Sequence, residues 1–109
     1  MTTVISIDRV DLALHPGVNF VAAETNARQM AMEHQPGFQA LVAWWDDDRR
    51  LGSPADARTK HDYSAVARFA QGQSATLRVH VNRGQYEFFY KRSGAPPPQP
   101  NPSQSEQGR

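Results

Sequence analysis

The chain has 109 residues, a length that suits one domain with a modest core. Its formal net charge of +1 argues against a partner that binds mainly through opposite charge. The absence of cysteine excludes disulfides, thiol catalysis and zinc–thiolate sites. No stretch is long and apolar enough to span a membrane, and the charges at residues 8, 9 and 11 are atypical of a signal peptide. We therefore expect a cytoplasmic protein.

The first third of the chain predicts a strand followed by a helix. Residues 10–14 alternate between the two faces of an extended chain, with valine and leucines on one side, which is typical of a short half-buried strand. Asn19 can cap the helix, and Pro36-Gly37 ends it. An apolar stripe at spacings of three and four lies between them. It consists of Phe20, Ala23, Ala27, Met30, Ala31 and His34.

The run Phe38 to Trp45 predicts a strand that is apolar on both faces, which is typical of a central position covered on each side. A charged loop over residues 46–54 follows it. Asp62 can cap a second helix over residues 63–71, and Gly72 ends that helix.

A hairpin over residues 75–91 is the strongest pattern in the chain. A two-residue loop at Arg83-Gly84 pairs Val81 with Tyr86 and sets His80 opposite Glu87. This register brings six apolar side chains to one face, which then needs a cover. They are Leu77, Val79, Val81, Tyr86, Phe88 and Tyr90.

The predicted order is strand, helix, strand, helix, strand, strand. This order indicates an α+β domain over residues 1–92, with a two-layer arrangement in which both helices lie on one face of the sheet. The sheet is expected to be mixed or antiparallel, with three or four strands. Residues 93–109 hold five of the eight prolines and predict a disordered tail.

Several motifs between Pro36 and Tyr90 resemble a small bacterial and archaeal family of domains of unknown function. They are the Pro-Gly-Phe that closes the first helix (36–38), the strand ending Ala-Trp-Trp-Asp (43–46), the Asp-Arg-Arg-Leu-Gly-Ser-Pro loop (48–54), Tyr63 in the second helix, and the closing hairpin (82–90). The resemblance implies a compact α/β fold. It carries no established activity, cofactor or catalytic residue.

The leading functional hypothesis is a small interaction or ligand-binding module that forms a homodimer through the second face of the sheet. With both helices on the first face, Leu41, Trp45 and Phe89 would form an apolar patch on the second, flanked by Arg78 and His80. The chain's own N-terminal arm is the alternative cover for this patch.

Charge is unevenly distributed along the chain. Residues 1–48 carry two basic and seven acidic side chains, whereas residues 49–92 carry nine basic and three acidic ones. Either these charges interleave in the folded protein, or a basic patch meets a small anionic ligand. The basic patch would include Arg49, Arg50, Arg58, Lys60 and Arg68, of which the first four are the anion-binding candidates.

The sequence suggests two further functions, nucleic-acid binding and metal-dependent catalysis. Basic and aromatic side chains on the outer sheet face resemble a platform for single-stranded nucleic acid, although no ribonucleoprotein motif is present. The run Asp46-Asp47-Asp48 with His61 suggests a metal-dependent enzyme, and His80 beside Glu87 suggests a general base. No spacing is a known ligand signature, so no metal, cofactor or catalytic residue is assigned, and a binding module is favoured over an enzyme.

Overall fold

The computed structural model describes residues 7–53 and 61–92. The proline-rich segment 93–109, predicted to be a disordered tail, lies outside the described residues. Within them the chain forms five strands and two α-helices in the predicted order, with one additional strand. The elements are β1 (Asp8–Leu12), α1 (Phe20–His34), β2 (Gln39–Asp46), β3 (Leu51–Ser53), α2 (Tyr63–Gly72), β4 (Leu77–Val81) and β5 (Tyr86–Arg92).

The strands form one mixed sheet in the order β1-β4-β5-β2-β3. Only β1 and β4 pair in parallel, whereas β4–β5, β5–β2 and β2–β3 are antiparallel. The α+β class is therefore confirmed, and so is the hairpin register that sets Val81 beside Tyr86 and His80 beside Glu87.

The additional strand, β3, lies within the segment that was expected to be a charged loop. The chain turns after Asp46, and Arg50 adopts a left-handed backbone conformation with φ of 53°. Gly52 then pairs with Trp45. A β-carbon at Gly52 would lie 2.6 Å from a methyl group of Val66 and 2.8 Å from the Trp45 ring, so only glycine lets β3 approach β2 beneath α2.

The two helices cover opposite faces of the sheet, which corrects the predicted two-layer arrangement with both helices on one face. From α1, three alanines pack on the hairpin face that carries Phe88 and Tyr90. From α2, Val66, Ala67 and Ala70 pack on the other face, against Trp45 and Phe89. The central strands β2 and β5 are apolar on both sides, so each side needs a helix to exclude water. The described residues contain no helix long and apolar enough to cross a bilayer.

A polar network joins α1 to the centre of the sheet. The hydroxyl of Tyr90, a fully buried residue, donates a hydrogen bond to Glu24 Oε2 at 2.9 Å. The Arg28 guanidinium lies 2.7 Å from the same carboxylate and over the Tyr90 ring. Burial and the nearby Glu24 carboxylate raise the pKa of the Tyr90 hydroxyl, since both disfavour the phenolate.

The raised pKa of Tyr90 predicts a loss of stability at high pH. The stabilising contribution is complete below about pH 10, the pKa of an unfolded tyrosine, and declines as the pH rises from there toward the folded-state pKa. The free energy of unfolding should fall by about 1.4 kcal/mol per pH unit through this group. Urea unfolding of wild type and Tyr90→Phe between about pH 8 and pH 11 measures it. The difference between the two proteins should shrink above about pH 10, and a constant difference would contradict the assignment.

Candidate functional site

A buried carboxylate lies where the β4–β5 hairpin meets the start of α2. Glu87 is only 2% exposed, although it is ionisable and lies on the face of β5 that α2 partly covers. A carboxylate in such a place must be hydrogen-bonded or paired with a cation. Three side chains, Tyr63, Arg78 and His80, satisfy this requirement. We call these four residues the Glu87 cluster.

The cluster divides its contacts between the two oxygens of Glu87. The Tyr63 hydroxyl donates to Oε2 at 2.6 Å, and Arg78 Nη1 lies 3.6 Å from the same oxygen. His80 Nδ1 lies 2.7 Å from Oε1. Burial and the hydrogen bond to Glu87 raise the pKa of the Tyr63 hydroxyl, so it remains a proton donor at neutral pH.

The position of Glu87 decides which nitrogen of His80 can meet a ligand. An ionised carboxylate only accepts hydrogen bonds, so Nδ1 carries a proton toward Glu87 and Nε2 is left for other contacts. Gly84 lies beside that edge of the ring. A β-carbon there would lie 3.6 Å from Nε2, and the φ of 109° also favours glycine. Gly84 therefore keeps this edge of the imidazole uncrowded.

A cavity of about 410 Å³ adjoins the cluster. Its lining includes Tyr63, His80 and Glu87 from the cluster, together with Arg50 and Arg83. We call it the polar cavity. It lies between α2, the turn after β2 and the turn of the hairpin. Because these segments are distant in sequence, only the tertiary fold brings them together.

Arg50 is held at the polar cavity by two neighbours. Its Nη1 lies 2.7 Å from Asp47 Oδ1, which also accepts a hydrogen bond from Trp45 Nε1. The guanidinium lies 5.2 Å from the centre of the Trp45 ring, a cation–π arrangement. The backbone oxygen of Arg50 meets His61 Nδ1 at 2.9 Å.

Arg83 reaches the polar cavity from a strained turn. Both Asn82 and Arg83 have left-handed backbones, with φ of 50° and 59°. This conformation costs a residue such as arginine about 1–2 kcal/mol. Asn82 supports the turn, because its Oδ1 accepts a hydrogen bond from the Leu14 backbone at 2.7 Å and its Nδ2 donates to Gln85. Strain of this kind, held by its surroundings, is common at functional sites.

The predicted anion-binding residues are only partly brought together. Arg49 and Arg50 are both exposed, but only Arg50 lines the polar cavity, whereas Arg49 pairs with Asp46 at 3.5 Å. Arg58 and Lys60 lie outside the described residues. The cationic residue that the sequence did not single out is Arg83, whose position depends on a turn conformation that arginine rarely adopts.

The predicted self-association patch is covered by the chain itself. Trp45 and Phe89 are 2% and 0% exposed beneath α2, and Leu41 packs on the α1 face instead. Leu41 changes face because the pairing of β2 with β5 is irregular between Leu41 and Ala43, which breaks strict alternation. Homodimer formation itself stays a prediction, which light scattering can test.

The other predicted functions meet related difficulties. A base-stacking platform needs exposed rings, whereas Trp45 and Phe89 are buried. Of the acidic run, Asp46 and Asp47 are engaged by nearby arginines. Within the part of the chain that the structure describes, no group of three or more histidine or acidic side chains is placed to hold a metal ion.

The sequence found half of the Glu87 cluster. The hairpin register alone sets His80 beside Glu87, as the structure confirms. Tyr63 was predicted only as the first residue of α2, and no local pattern connects it with a residue 24 positions away. A tyrosine next to a helix cap, on the side that faces the sheet, is the signal that could have indicated it.

Comparisons with known proteins agree with the fold. No curated protein matches the chain. The crystal structure of a protein from Archeoglobus fulgidus, AF1514, superposes with a TM-score of 0.67 and 22% identity, over 80% of this chain and 95% of that one. At this identity the likeness shows the fold alone.

A family of domains of unknown function, DUF5619, matches residues 7–90. The match confirms the resemblance seen between Pro36 and Tyr90, and it extends that resemblance through β1 and α1. Since it covers both helices and all of the sheet except the last two residues of β5, the chain belongs to the family of domains of unknown function DUF5619.

Proposed function

We propose that this domain binds a small anionic ligand in the polar cavity. The observation that carries the proposal is the charge around the cavity. When Arg78 of the Glu87 cluster is included, three arginines surround two carboxylates: Arg50, Arg78 and Arg83 against Asp47 and Glu87. Both carboxylates that line the cavity are already engaged, Asp47 by Arg50 and Trp45, and Glu87 by its own cluster. Arg83 adds a second guanidinium to the lining, and His80 Nε2 donates a hydrogen bond when the imidazole carries both protons. The cavity therefore favours an anion.

The surroundings strengthen such an interaction. The Trp45 ring and Asp47 hold the Arg50 guanidinium in place, so less side-chain entropy is lost on binding. A carboxylate or phosphate group matches the planar fork of an arginine side chain.

The test uses inorganic phosphate as the probe. In ¹H–¹⁵N NMR titrations at low salt, phosphate should shift signals of Arg50, Gly84 and Arg83 in a saturable way. Arg83→Asn should weaken binding by about tenfold, since one charge-assisted hydrogen bond contributes roughly 1.5–3 kcal/mol. Asparagine tolerates the left-handed backbone, so this variant should fold as well as wild type.

The control is Arg68→Gln, which removes an exposed arginine of α2 that does not line the cavity. It changes the net charge by the same amount and should leave phosphate affinity unchanged. Equal losses in the two variants would indicate general electrostatic attraction and contradict the proposed site. The absence of any saturable shift with wild type would contradict anion binding altogether.

A further inference from the structure

A second cavity, of about 630 Å³, lies on the other side of His80 and Arg83. Both residues line it as well as the polar cavity, so the two spaces adjoin at these side chains. Its remaining walls come from β1 and the segment after it, together with Asn82. Four apolar residues there contribute to the lining: Leu12, Ala13, Leu14 and Pro16. We call it the apolar cavity.

The wall of the apolar cavity is tied to the hairpin turn by long-range hydrogen bonds. Asn82 Oδ1 accepts a hydrogen bond from the Leu14 backbone N–H at 2.7 Å, and Asn82 Nδ2 donates to the His15 carbonyl at 3.3 Å. Gln85 donates to the Pro16 carbonyl at 3.3 Å. The strained turn that presents Arg83 therefore also positions the apolar wall. A pre-positioned wall reduces the ordering cost of binding.

One carboxylate, Asp11, lines the apolar cavity and is the sheet partner of His80. Asp11 is paired with Arg9 at 3.4 Å. The shared residues His80 and Arg83 then supply the polar groups nearest to the polar cavity. A volume of this size is within the roughly 300–1,000 Å³ of small-molecule sites, which are mostly apolar with a few placed polar groups.

We propose that the ligand is an amphipathic anion, with a carboxylate or phosphate head at Arg50, His80 and Arg83 and an aliphatic or aromatic body in the apolar cavity. This inference rests on the proposed function and names the class of ligand. The two cavities meet at His80 and Arg83, so one molecule can place its head and its body on either side of them. We take the ligand to be a single dissolved molecule, because a space of about 630 Å³ matches the size of small-molecule sites.

The experiment separates head from body with four probes. Octanoate carries both, acetate and inorganic phosphate carry only the head, and octanamide carries only the body. By calorimetry and NMR, octanoate should bind about tenfold more tightly than acetate, a factor that burial of about two methylene groups supplies. It should also bind more tightly than octanamide. Octanoate should shift signals of Ala13 and Leu14 in addition to that of Arg83.

Variants assign this preference to the apolar cavity. Ala13→Gln places a polar side chain at an exposed position of the wall, so octanoate should lose its advantage while phosphate affinity stays the same. Val21→Gln is the matched control, because Val21 is 73% exposed on α1 and does not line the cavity. It should change neither affinity.

Each remaining outcome overturns a defined claim. If octanoate and acetate bind equally, the apolar body is wrong and anion binding in the polar cavity stands. If octanamide binds as tightly as octanoate, the anionic head is wrong. If phosphate and acetate both fail to bind, the proposed function fails together with this inference. If the protein co-sediments with phosphatidylglycerol vesicles but does not bind octanoate, the proposal of a dissolved ligand is wrong and the partner is an anionic membrane surface.

Discussion

Phe89→Asp is expected to unfold the domain. Phe89 is fully buried between the sheet and α2, so the substitution removes a large apolar side chain and places a carboxylate in the core. Its cross-strand neighbour Arg78 is already paired with Glu87. Loss of the aromatic ring alone costs about 3–5 kcal/mol, and the buried charge adds several more. Small domains have total stabilities of roughly 5–15 kcal/mol. Circular dichroism and dispersion of the NMR spectrum should show the loss of structure.

Lys91→Asp is the matched control for this substitution. Lys91 lies two residues further along β5, on the same side of the strand, but is exposed. The same aspartate there should change the free energy of unfolding by less than about 0.5 kcal/mol. A folded and monomeric Phe89→Asp protein would show that the ring faces an intermolecular surface. It would also overturn the placement of α2.

Glu87→Ala is the second substitution with a large expected effect. It leaves the Arg78 guanidinium half-buried without its carboxylate and removes the acceptor of the Tyr63 hydroxyl. Breaking a buried pair from one side costs about 3–5 kcal/mol, because an uncompensated charge stays behind. Urea unfolding should therefore show a loss of that size. Glu87→Gln should lose less, since the amide retains an acceptor for Tyr63.

Glu33→Ala controls for the general effect of removing a glutamate. Glu33 is exposed on α1, and its only described hydrogen bond is a long one, from Gln29 at 3.4 Å. A change below about 0.5 kcal/mol is expected. If Glu87→Ala were no less stable than Glu33→Ala, the Glu87 cluster would not hold this corner of the domain together. The geometry of the polar cavity would then lack its support.

The hairpin shows why part of the site was accessible from sequence. Strand side chains alternate with a period of two, so only one register buries the apolar set, and that register also sets His80 beside Glu87. The same rule failed at Leu41, because an irregularity in β2 reverses the alternation there. In a strand that is apolar on both faces, a bulge of one residue does not change the pattern of apolar and polar residues, so the sequence does not reveal it.

The remaining site residues depend on contacts distant in sequence. The position of Arg83 depends on a turn that is supported by the hydrogen bond between Leu14 and Asn82, which are 68 residues apart. Tyr63 meets Glu87 only once α2 has packed on the sheet. Arg50 reaches the cavity because β3 folds back on β2 at Gly52. None of these contacts leaves a periodic pattern in the chain.

By itself, the sequence determined the two helices, four of the five strands and the pairing of the hairpin, because apolar periodicity and helix caps are local properties. Only the tertiary structure decided which face each helix covers. The apolar stripe of a helix indicates that this side of the helix is buried, but it does not indicate which surface of the protein it packs against. Here Trp45 and Phe89 gain most by being removed from water, so α2 packs on them and the second sheet face becomes core. That choice placed Tyr63 on Glu87 and produced the cavity in which we propose that an anion binds.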